Sequence, residues 1–238
     1  MLLTPREFDS RLRRGRLIIT FIGMSGMGKS YRGEQLRTLG FDHKNCDNVI
    51  ASRISELSQS DVHGLAAWMG QPYEPGYQER EAHYLELEKW AIENILASID
   101  GNTVIDATGS VVYMPKDVLA RLKNETLMVH LDANDAACEQ LFDRYLAEPK
   151  PVVWGTSFDQ KNDESNFHAL YSSYPALLKF RLHQYAALAD VTIPYEIARN
   201  EHSGAKEFLD AVKKHMRGAK ERKKGTAAAA KRVPNSIA

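Results

Sequence analysis

The stretch RLIITFIGMSGMGKSYRGEQL, residues 16–36, decides the fold of this chain. It opens with a short apolar, β-branched run over 16–22, which is typical of a buried strand. Residues 23–30 read GMSGMGKS and match the pattern G-x-x-x-x-G-K-[ST]. A predicted helix over 29–38 follows. A glycine-rich loop between a strand and a helix curls its N–H groups around a phosphate, and the helix directs its positive end at the same anion.

This loop therefore predicts a nucleotide site with Mg²⁺ bound beside the phosphates. Lys29 is expected to reach the β- and γ-phosphates, and the Ser30 hydroxyl to ligate Mg²⁺. A glycine turn that binds nothing is the alternative, and the order strand, loop, helix argues against it. The residues predicted to hold the nucleotide by position in the loop are Gly23, Met24, Ser25, Gly26, Met27, Gly28, Lys29, Ser30 and Tyr31.

Strands and helices alternate along the rest of the chain. Apolar runs predict strands at 102–107, 126–133 and 190–193. Helical periodicity predicts helices at 49–58, 79–99, 115–123, 134–147 and 176–189. Such alternation indicates an α/β protein with a parallel sheet covered on both faces.

Length and composition bound the class of protein. A chain of 238 residues, 43% of them hydrophobic, fits one α/β domain with a real core. No apolar run is long enough to span a bilayer, and no N-terminal apolar targeting segment is present, so we expect a soluble cytoplasmic protein without membrane contact. In that compartment Cys46 and Cys138 are expected to be packed thiols.

Charge is distributed unevenly, although the formal net charge is zero. Between Lys213 and Arg232 there are nine Lys or Arg residues and one acid, so the remainder is acidic, at about −8. We predict one domain over 1–217, whose last helix lies near 203–217, and a basic disordered tail over 218–238. A solvated tail is favoured over a contact with nucleic acid or another anionic surface. The sequence specifies no oligomeric state.

Further blocks of sequence carry a resemblance to a known family. They are NCDNVI (45–50), MGQPYEPGYQEREAHYL (69–85), TVIDATGSVV (103–112), RYLAEPKPVVW (144–154) and KFRLHQYAALADVTI (179–193). Together with the glycine loop and its following Gly33, they resemble the shikimate kinases, in the family's order, over about residues 16–195. The resemblance implies a three-layer P-loop kinase fold with a five-stranded parallel sheet, a helical substrate-binding segment near 47–90 and a mobile lid near 146–175.

The resemblance also implies roles for single residues. Asp47 takes the position of the carboxylate that holds a substrate hydroxyl and accepts its proton, Lys150 that of a lid arginine beside the transferred phosphate, and Arg144 that of an arginine on the adenine. With Lys29, Asp47 and Lys150 form the predicted catalytic set. The predicted substrate-binding residues are Asp47, Met69, Tyr77, Gln78, Gly109 and Arg181.

Departures from the family pattern concern the substrate. Asn45 replaces an acid near the metal, Gln78 replaces an arginine that grips the substrate carboxylate, and the turn around Gly109 has lost glycines. The predicted reaction is transfer of the ATP γ-phosphoryl group to a hydroxyl of shikimate or a related polar or anionic metabolite. A kinase of a nucleoside or another polyol, and a nucleotide-binding regulatory protein without turnover, remain alternatives.

Asp106 is singled out by its own position, because the family pattern supplies no acid there. It ends the apolar strand TVID, and strands of such sheets end at a common crevice beside the phosphate loop. Hard cations prefer carboxylate oxygens and water. We predict a metal site formed by Ser30 and Asp106, in which Asp106 acts through water; a capping or turn aspartate is the alternative.

Each of the other assignments has a structural alternative. Asp47 is a favoured residue type for the N-cap of a helix starting near Val49. Arg181 is compatible with a solvated helix face, and Met69 and Tyr77 with the core. Arg144 is spaced to pair with Asp143 or Glu148. Trp154, Phe158 and Asn166, in the polar segment 148–175, are candidate substrate contacts.

Overall fold

The computed structural model describes residues 3–54, 62–148 and 150–216. The basic tail predicted at 218–238 lies outside the described residues. Within them the chain forms a five-stranded sheet whose strands all pair in parallel. The strands are β1 Ile18–Ile22, β2 Asp42–Asn45, β3 Thr103–Asp106, β4 Leu127–Leu131 and β5 Val191–Ile193.

The strand order, β2-β3-β1-β4-β5, places the phosphate loop at the middle of the sheet. The chain runs from β1 across to the edge strand β2, then returns through β3 and continues to β4 and β5. Because crossovers between parallel strands are right-handed, this reversal puts helices on both faces. A crevice opens at the carboxyl ends of β1 and β3, where the direction changes. Register pairs Phe21 with Asp106, so both strands end at the same level.

Helices fill the connections. They are α1 Pro5–Arg13, α2 Lys29–Arg37, α3 Cys46–Ala51, α4 Val62–Met69, α5 Tyr77–Ala97, α6 Lys116–Glu125, α7 Asp135–Ala147, α8 Asn166–Leu188 and α9 Tyr195–Ala198, followed by a helix over 205–216. A 3₁₀ turn covers Val111–Tyr113. None of the helices in the described part of the chain has both the length and the apolar character needed to cross a membrane.

The core lies on both sides of β1 and β4. All of β4 is buried, as is β1 after its first residue, in keeping with strands covered on two faces. The predicted α/β fold with a five-stranded parallel sheet is confirmed. The helical segment expected near 47–90 contains α3, α4 and most of α5, which pack on one another.

The predicted helix at 49–58 was misplaced at its start. α3 begins at Cys46, directly after β2, and Asn45 is its N-cap: the Asn45 side chain accepts a hydrogen bond from the Asn48 N–H at 3.0 Å. Asp47 therefore lies inside the first turn, and the interpretation of Asp47 as the cap was wrong. Residues 55–58 of the predicted helix lie outside the described residues.

The predicted helix at 176–189 also started too late. α8 begins at Asn166, with Ser165 as N-cap, and includes Pro175. A proline inside a helix costs about 3 kcal/mol, but Pro175 is exposed while Tyr174 and Leu177 beside it are buried. Their burial offsets that cost. The irregular part of the segment predicted as a lid thus ends near residue 165 rather than 175. The helices α1, α4 and α9 were not predicted individually, although α4 lies within the helical segment expected near 47–90.

Candidate functional site

The loop between β1 and α2 has the backbone of a phosphate cradle. Gly28, directly before Lys29, has φ 92°, a left-handed conformation that favours glycine. At Gly23 a Cβ atom would lie 2.5 Å from the carbonyl oxygen of Leu131, so the loop approaches β4 too closely for a side chain. These two glycines hold the N–H groups of the loop around the crevice.

Lys29 lies over this cradle with its side chain 8% exposed. Its Nζ donates to the carbonyls of Gly23 at 2.9 Å and Met24 at 3.1 Å. Burial lowers the pKa of Lys29, and the nearby charges of Asp106 and Asp47 oppose that change. The Lys29 amine is thus bound by carbonyls of the loop itself. An anion in the cradle would replace those carbonyls as the partner of the amine.

Asp106 contacts the residue that follows this lysine. The Ser30 hydroxyl donates to Asp106 Oδ2 at 2.6 Å, and Asn45 Nδ2 donates to the same oxygen at 2.7 Å. Asp106 is 4% exposed, and His43 Nε2 lies 3.7 Å from it. The structure therefore brings Ser30 and Asp106 together, as expected from the two strand ends.

The oxygens at this point suit Mg²⁺. A hydroxyl and a carboxylate are hard donors, and Mg²⁺ bound with a nucleotide commonly takes one or two protein oxygens, with phosphates and waters completing its shell. Asn45 directs its amide nitrogen to Asp106 and uses its oxygen to cap α3, so it steadies the carboxylate. Among the described residues no group of three or more His, Cys, Asp or Glu side chains is arranged to hold a metal without other ligands.

Two adjoining cavities form the crevice. The larger is about 410 Å³ and the smaller about 260 Å³. Both are lined by Ser25, Gly26, Lys29, Asp47, Lys150 and Arg199. The predicted catalytic residues Lys29, Asp47 and Lys150 therefore meet in one place.

Asp47 faces both cavities from the first turn of α3. Its Oδ1 accepts a hydrogen bond from the Tyr84 hydroxyl at 2.9 Å. Burial raises the pKa of Asp47, and the negative charge of Asp106 adds to this; the Tyr84 hydrogen bond and the charges of Lys29 and Lys150 act in the other direction. An aspartate with such surroundings is suited to accept a proton.

Of the predicted substrate residues, Gly109 and Arg181 line the larger cavity with Asp47. Arg181 is 3% exposed, so the interpretation as a solvated helix residue was wrong. One guanidinium nitrogen donates to the Val153 carbonyl at 2.6 Å, and the group lies 5.6 Å from the Tyr113 ring centre. Its buried Nε has no hydrogen-bond partner among the described residues. Arg181 is therefore a buried cation at the wall of the larger cavity.

The other predicted substrate residues lie outside both cavities. Met69 is fully buried in the core, and Gln78 is exposed. Tyr77 is also buried, and its hydroxyl lies 2.7 Å from both Glu81 Oε1 and the Val152 carbonyl oxygen, the two acceptors for its proton. Core packing thus accounts for Met69 and Tyr77. The geometry gives Gln78 no contact with the crevice.

Residues 152–155 form a wall held by α5. Glu81 Oε1 accepts the N–H of Trp154 at 2.6 Å and that of Gly155 at 3.0 Å. Trp154 is 1% exposed and packs among aromatic rings, so it is not the cavity contact that was expected.

Residues predicted to hold the nucleotide occupy different parts of the crevice. Met24 and Arg144 line the larger cavity, and Tyr31 the smaller one. Arg144 donates to Gln140 at 3.3 Å rather than pairing with Asp143 or Glu148. The Met27 side chain is fully buried, which leaves only its backbone for the cradle.

Two arginines near the cradle were missed from the sequence. Arg199, after α9, lines both cavities. Arg32, in α2, is fully buried and donates to the backbone carbonyls of Ile197, Ala198, Asn200 and Ser203 at 2.8–2.9 Å, and to Gln35. Arg32 thus fastens the segment carrying Arg199 to the phosphate-loop helix. No local pattern marks either residue, because their contacts join segments about 165 residues apart.

A buried carboxylate, Glu88, was also missed. It is fully buried in α5 and accepts hydrogen bonds from the hydroxyls of Thr108 and of Ser110, the latter at 2.6 Å. Burial raises the pKa of Glu88 to about 7; the two hydrogen bonds oppose the change. The sequence offered one indication of its burial: Glu88 lies four residues from Tyr84 and from Ile92, and so on the same face of the helix.

The pH dependence of stability provides a test of this environment. A carboxyl group whose pKa is raised in the folded state stabilises the fold below its unfolded pKa, near 4.5, and loses that contribution as pH rises through about 7. The loss amounts to about 3 kcal/mol. Glu88→Gln should therefore gain stability over the parent by about this amount between pH 4.5 and pH 8, measured by urea unfolding.

The matched control for that measurement is Glu86→Gln, on the same helix but exposed. The free energy of unfolding of Glu86→Gln should equal that of the parent at every pH. Parallel curves for the parent and Glu88→Gln would show that folding does not raise the pKa of Glu88.

Together, the parallel sheet, the glycine cradle and the buried lysine define an α/β P-loop fold with a nucleotide-type crevice. Comparisons with known proteins refine this class. No family model matches the chain, and no curated protein matches it in sequence. Solved structures do match, and the chain has the fold of the shikimate kinase-like P-loop kinases.

Three solved shikimate kinases show the extent of that likeness. The enzyme from Acinetobacter baumannii, in complex with shikimate, has a TM-score of 0.53 at 15% identity, over 94% of this chain and 99% of that one. The enzyme from Bacteroides thetaiotaomicron has a TM-score of 0.53 at 18% identity, over 83% of this chain and 95% of that one. The enzyme from Aquifex aeolicus has a TM-score of 0.50 at 16% identity, over 86% of this chain and 96% of that one.

Proposed function

We propose that this protein is an ATP-dependent phosphotransferase that moves the γ-phosphoryl group to a hydroxyl of a small polar or anionic metabolite. The observation that carries the proposal is the convergence of Lys29, Asp47 and the Ser30–Asp106 pair on one crevice. A phosphate cradle alone would suit any nucleotide-binding protein. A carboxylate placed across the crevice, with a raised pKa, suits a second reactant that gives up a proton.

The residues on the far side of the larger cavity indicate the chemistry of the proposed acceptor. Arg181, a buried cation that lines the larger cavity, supports a substrate with an anionic or strongly polar group opposite the reacting hydroxyl. Shikimate itself or a related hydroxy acid fits this description, and a structural neighbour is described in complex with shikimate. Gln78 is exposed and lies outside both cavities, so it adds no contact to such a group.

The mechanism follows from the placement of the side chains. Asp47 orients the acceptor hydroxyl and takes its proton as the new bond forms. Lys29 leaves the carbonyls of Gly23 and Met24 to neutralise the phosphates, and Lys150 adds charge on the side of the transferred group. Mg²⁺, when held at Ser30 with Asp106 behind it, supplies further neutralisation of the phosphate oxygens. The segment that includes Lys150 acts as a lid that excludes water.

The cellular setting is proposed from the cysteines. Cys46 and Cys138 are both free, and Cys46 is buried. Free thiols are typical of a reducing compartment, which supports a cytoplasmic enzyme.

The test of the proposal is a screen for ADP release from MgATP over hydroxy acids, polyols and nucleosides, with shikimate included. Asp47→Asn should lower kcat about a hundredfold, while changing KM for MgATP by less than about twofold, because Asp47 acts on the acceptor. If MgATP affinity fell as much as kcat, Asp47 would instead have a metal-binding or a structural role. MgATP binding without ADP release for any acceptor would favour a regulatory protein.

The metal site has its own prediction. Asp106→Asn should raise the Mg²⁺ concentration for half-maximal activity about tenfold or more, because a carboxylate behind the ion's ligands tunes its affinity. Metal-free nucleotide binding should hardly change. Asp42→Asn, on the neighbouring strand and exposed, is the control. Superimposable Mg²⁺ titrations of Asp106→Asn and the parent would make Asp106 a structural residue.

A further inference from the structure

Helix α5 carries a stripe of polar side chains on its inner face. We call Tyr77, Glu81, Tyr84 and Glu88 the polar stripe; their spacing of four, three and four residues puts them on one side of a helix. Tyr77, Tyr84 and Glu88 are at most 3% exposed. Each member makes a hydrogen bond to a segment that is not part of α5. The stripe therefore links α5 to its surroundings through polar contacts where an apolar seam is the usual arrangement.

The second half of the polar stripe reaches two walls of the acceptor cavity. Tyr84 holds Asp47 through the hydrogen bond of 2.9 Å. One turn later, Glu88 holds the hydroxyls of Thr108 and Ser110, which flank Gly109 in the turn after β3. One rigid helical turn thus connects the proposed base to the turn that faces the substrate.

The turn itself is held from both sides. The hydroxyl oxygens of Thr108 and Ser110 lie 2.9 Å apart, since both point at Glu88, and both residues are at most 3% exposed. Across from Glu88, the Tyr185 hydroxyl donates to the Gly109 carbonyl at 2.5 Å. A Cβ atom on Gly109 would lie 3.0 Å from an Arg181 nitrogen, so the turn touches the proposed anion contact as well. A small displacement of this turn would change the shape of the acceptor cavity.

Stability does not explain why Glu88 is a carboxylate. A buried carboxyl group whose pKa is raised to about 7 weakens the fold at neutral pH, as derived above. Buried polar groups of this kind, with a specific charged neighbour beside a cleft, are typical of functional sites. The charges facing Glu88 are those of Asp47 and Arg181, which both line the larger cavity.

We propose that Tyr84 and Glu88 are positioning residues, which fix Asp47 and the Thr108–Ser110 turn at the separation that phosphoryl transfer requires. Neither residue lines the crevice, so both act through the groups they hold. This inference rests on the proposed function, because Asp47 has an acceptor to act on only if transfer occurs. Misplacement of reacting groups by about 1 Å costs up to about a hundredfold in rate.

The test uses the full-length protein with Tyr84→Phe, Glu88→Gln and the double variant. ADP release is measured with the acceptor found in the screen, and with water as acceptor. Each single change should lower kcat about tenfold or more and leave KM for MgATP within about twofold. The double variant should lose less than the product of the two single losses, because both residues set one separation.

Controls separate positioning from folding and from the proposed function. Glu86→Gln should keep the parental kcat, and thermal unfolding at pH 7 should show all variants folded. Parental kcat in both Tyr84→Phe and Glu88→Gln would overturn the inference while leaving the proposed function intact. A parent protein that binds MgATP but transfers phosphoryl to no acceptor, water included, would refute the proposed function and this inference with it.

Discussion

Lys29→Ala should lower phosphoryl transfer by about a thousandfold or more. The expected size follows from the loss of a preorganised charge at the transferred group, for which single donors contribute about a hundred- to a thousandfold and arginine fingers still more. Lys29 is the buried cation that contacts the cradle carbonyls directly, and the approaching phosphates would take their place. The measurement is kcat for ADP release with the acceptor identified by screening.

Lys44→Ala is the matched control for that experiment. Lys44 lies in β2, partly exposed, and pairs with Asp42 at 2.8 Å. Its removal should leave kcat unchanged. Thermal unfolding should first show that Lys29→Ala is folded. If the folded variant kept most of the parental kcat, the crevice would not be the site of transfer and the kinase proposal would fail.

Arg32→Met should lower the free energy of unfolding by about 3 kcal/mol, since hydrogen bonds from a charged donor contribute about 1.5–3 kcal/mol each and are not fully additive. Methionine keeps the apolar contact with Phe208, over whose ring the guanidinium lies at 4.6 Å. The four backbone carbonyls bound by Arg32 lose their donors. For a chain of this length the midpoint of thermal unfolding should fall by roughly 10 °C.

Arg37→Met on the same helix isolates the effect of burial. Arg37 is exposed, and within the described part of the chain its side chain contacts only Glu34, at 3.4 Å. Such surface pairs contribute about 1 kcal/mol at most, so this variant should unfold with the parent. Equal midpoints for Arg32→Met and Arg37→Met would show that water replaces the lost donors at the 197–203 segment.

The fold was predictable because its signals are local. The strand before Gly23 and the helix after Gly28 follow from neighbouring residues, and the alternation of strands and helices then requires a parallel sheet. Asp106 was predictable for the same reason: it ends a strand, and strand ends meet at one crevice. Its contact with Ser30 at 2.6 Å agrees with that expectation.

What remained hidden depends on contacts between distant segments. Arg32 looks like any helix surface residue until the 197–203 segment folds over it. Glu88 looks like part of the charged face of α5 until the turn after β3 supplies two hydroxyls. A proline disfavours helical backbone before it, so the local sequence around Pro175 does not indicate that α8 begins at Asn166; the buried neighbours of Pro175 hold α8 together.

The burial of Trp154 gives this protein an optical reporter. Its indole lies 5.7–6.0 Å, centre to centre, from the rings of Tyr145, Phe158 and Tyr174. The preceding carbonyl accepts the hydrogen bond from Arg181, so a ligand that draws Arg181 into the cavity also shifts the surroundings of the indole.

The other two tryptophans, Trp68 and Trp90, lie outside both cavities, beside His83 at 5.8 Å and Arg53 at 4.2 Å. With both changed to phenylalanine, the tryptophan fluorescence, excited at a wavelength that tyrosine does not absorb, would come from Trp154 alone. Titration of that variant with candidate metabolites would then reveal occupancy of the acceptor cavity in the absence of ATP, independently of any catalytic assay.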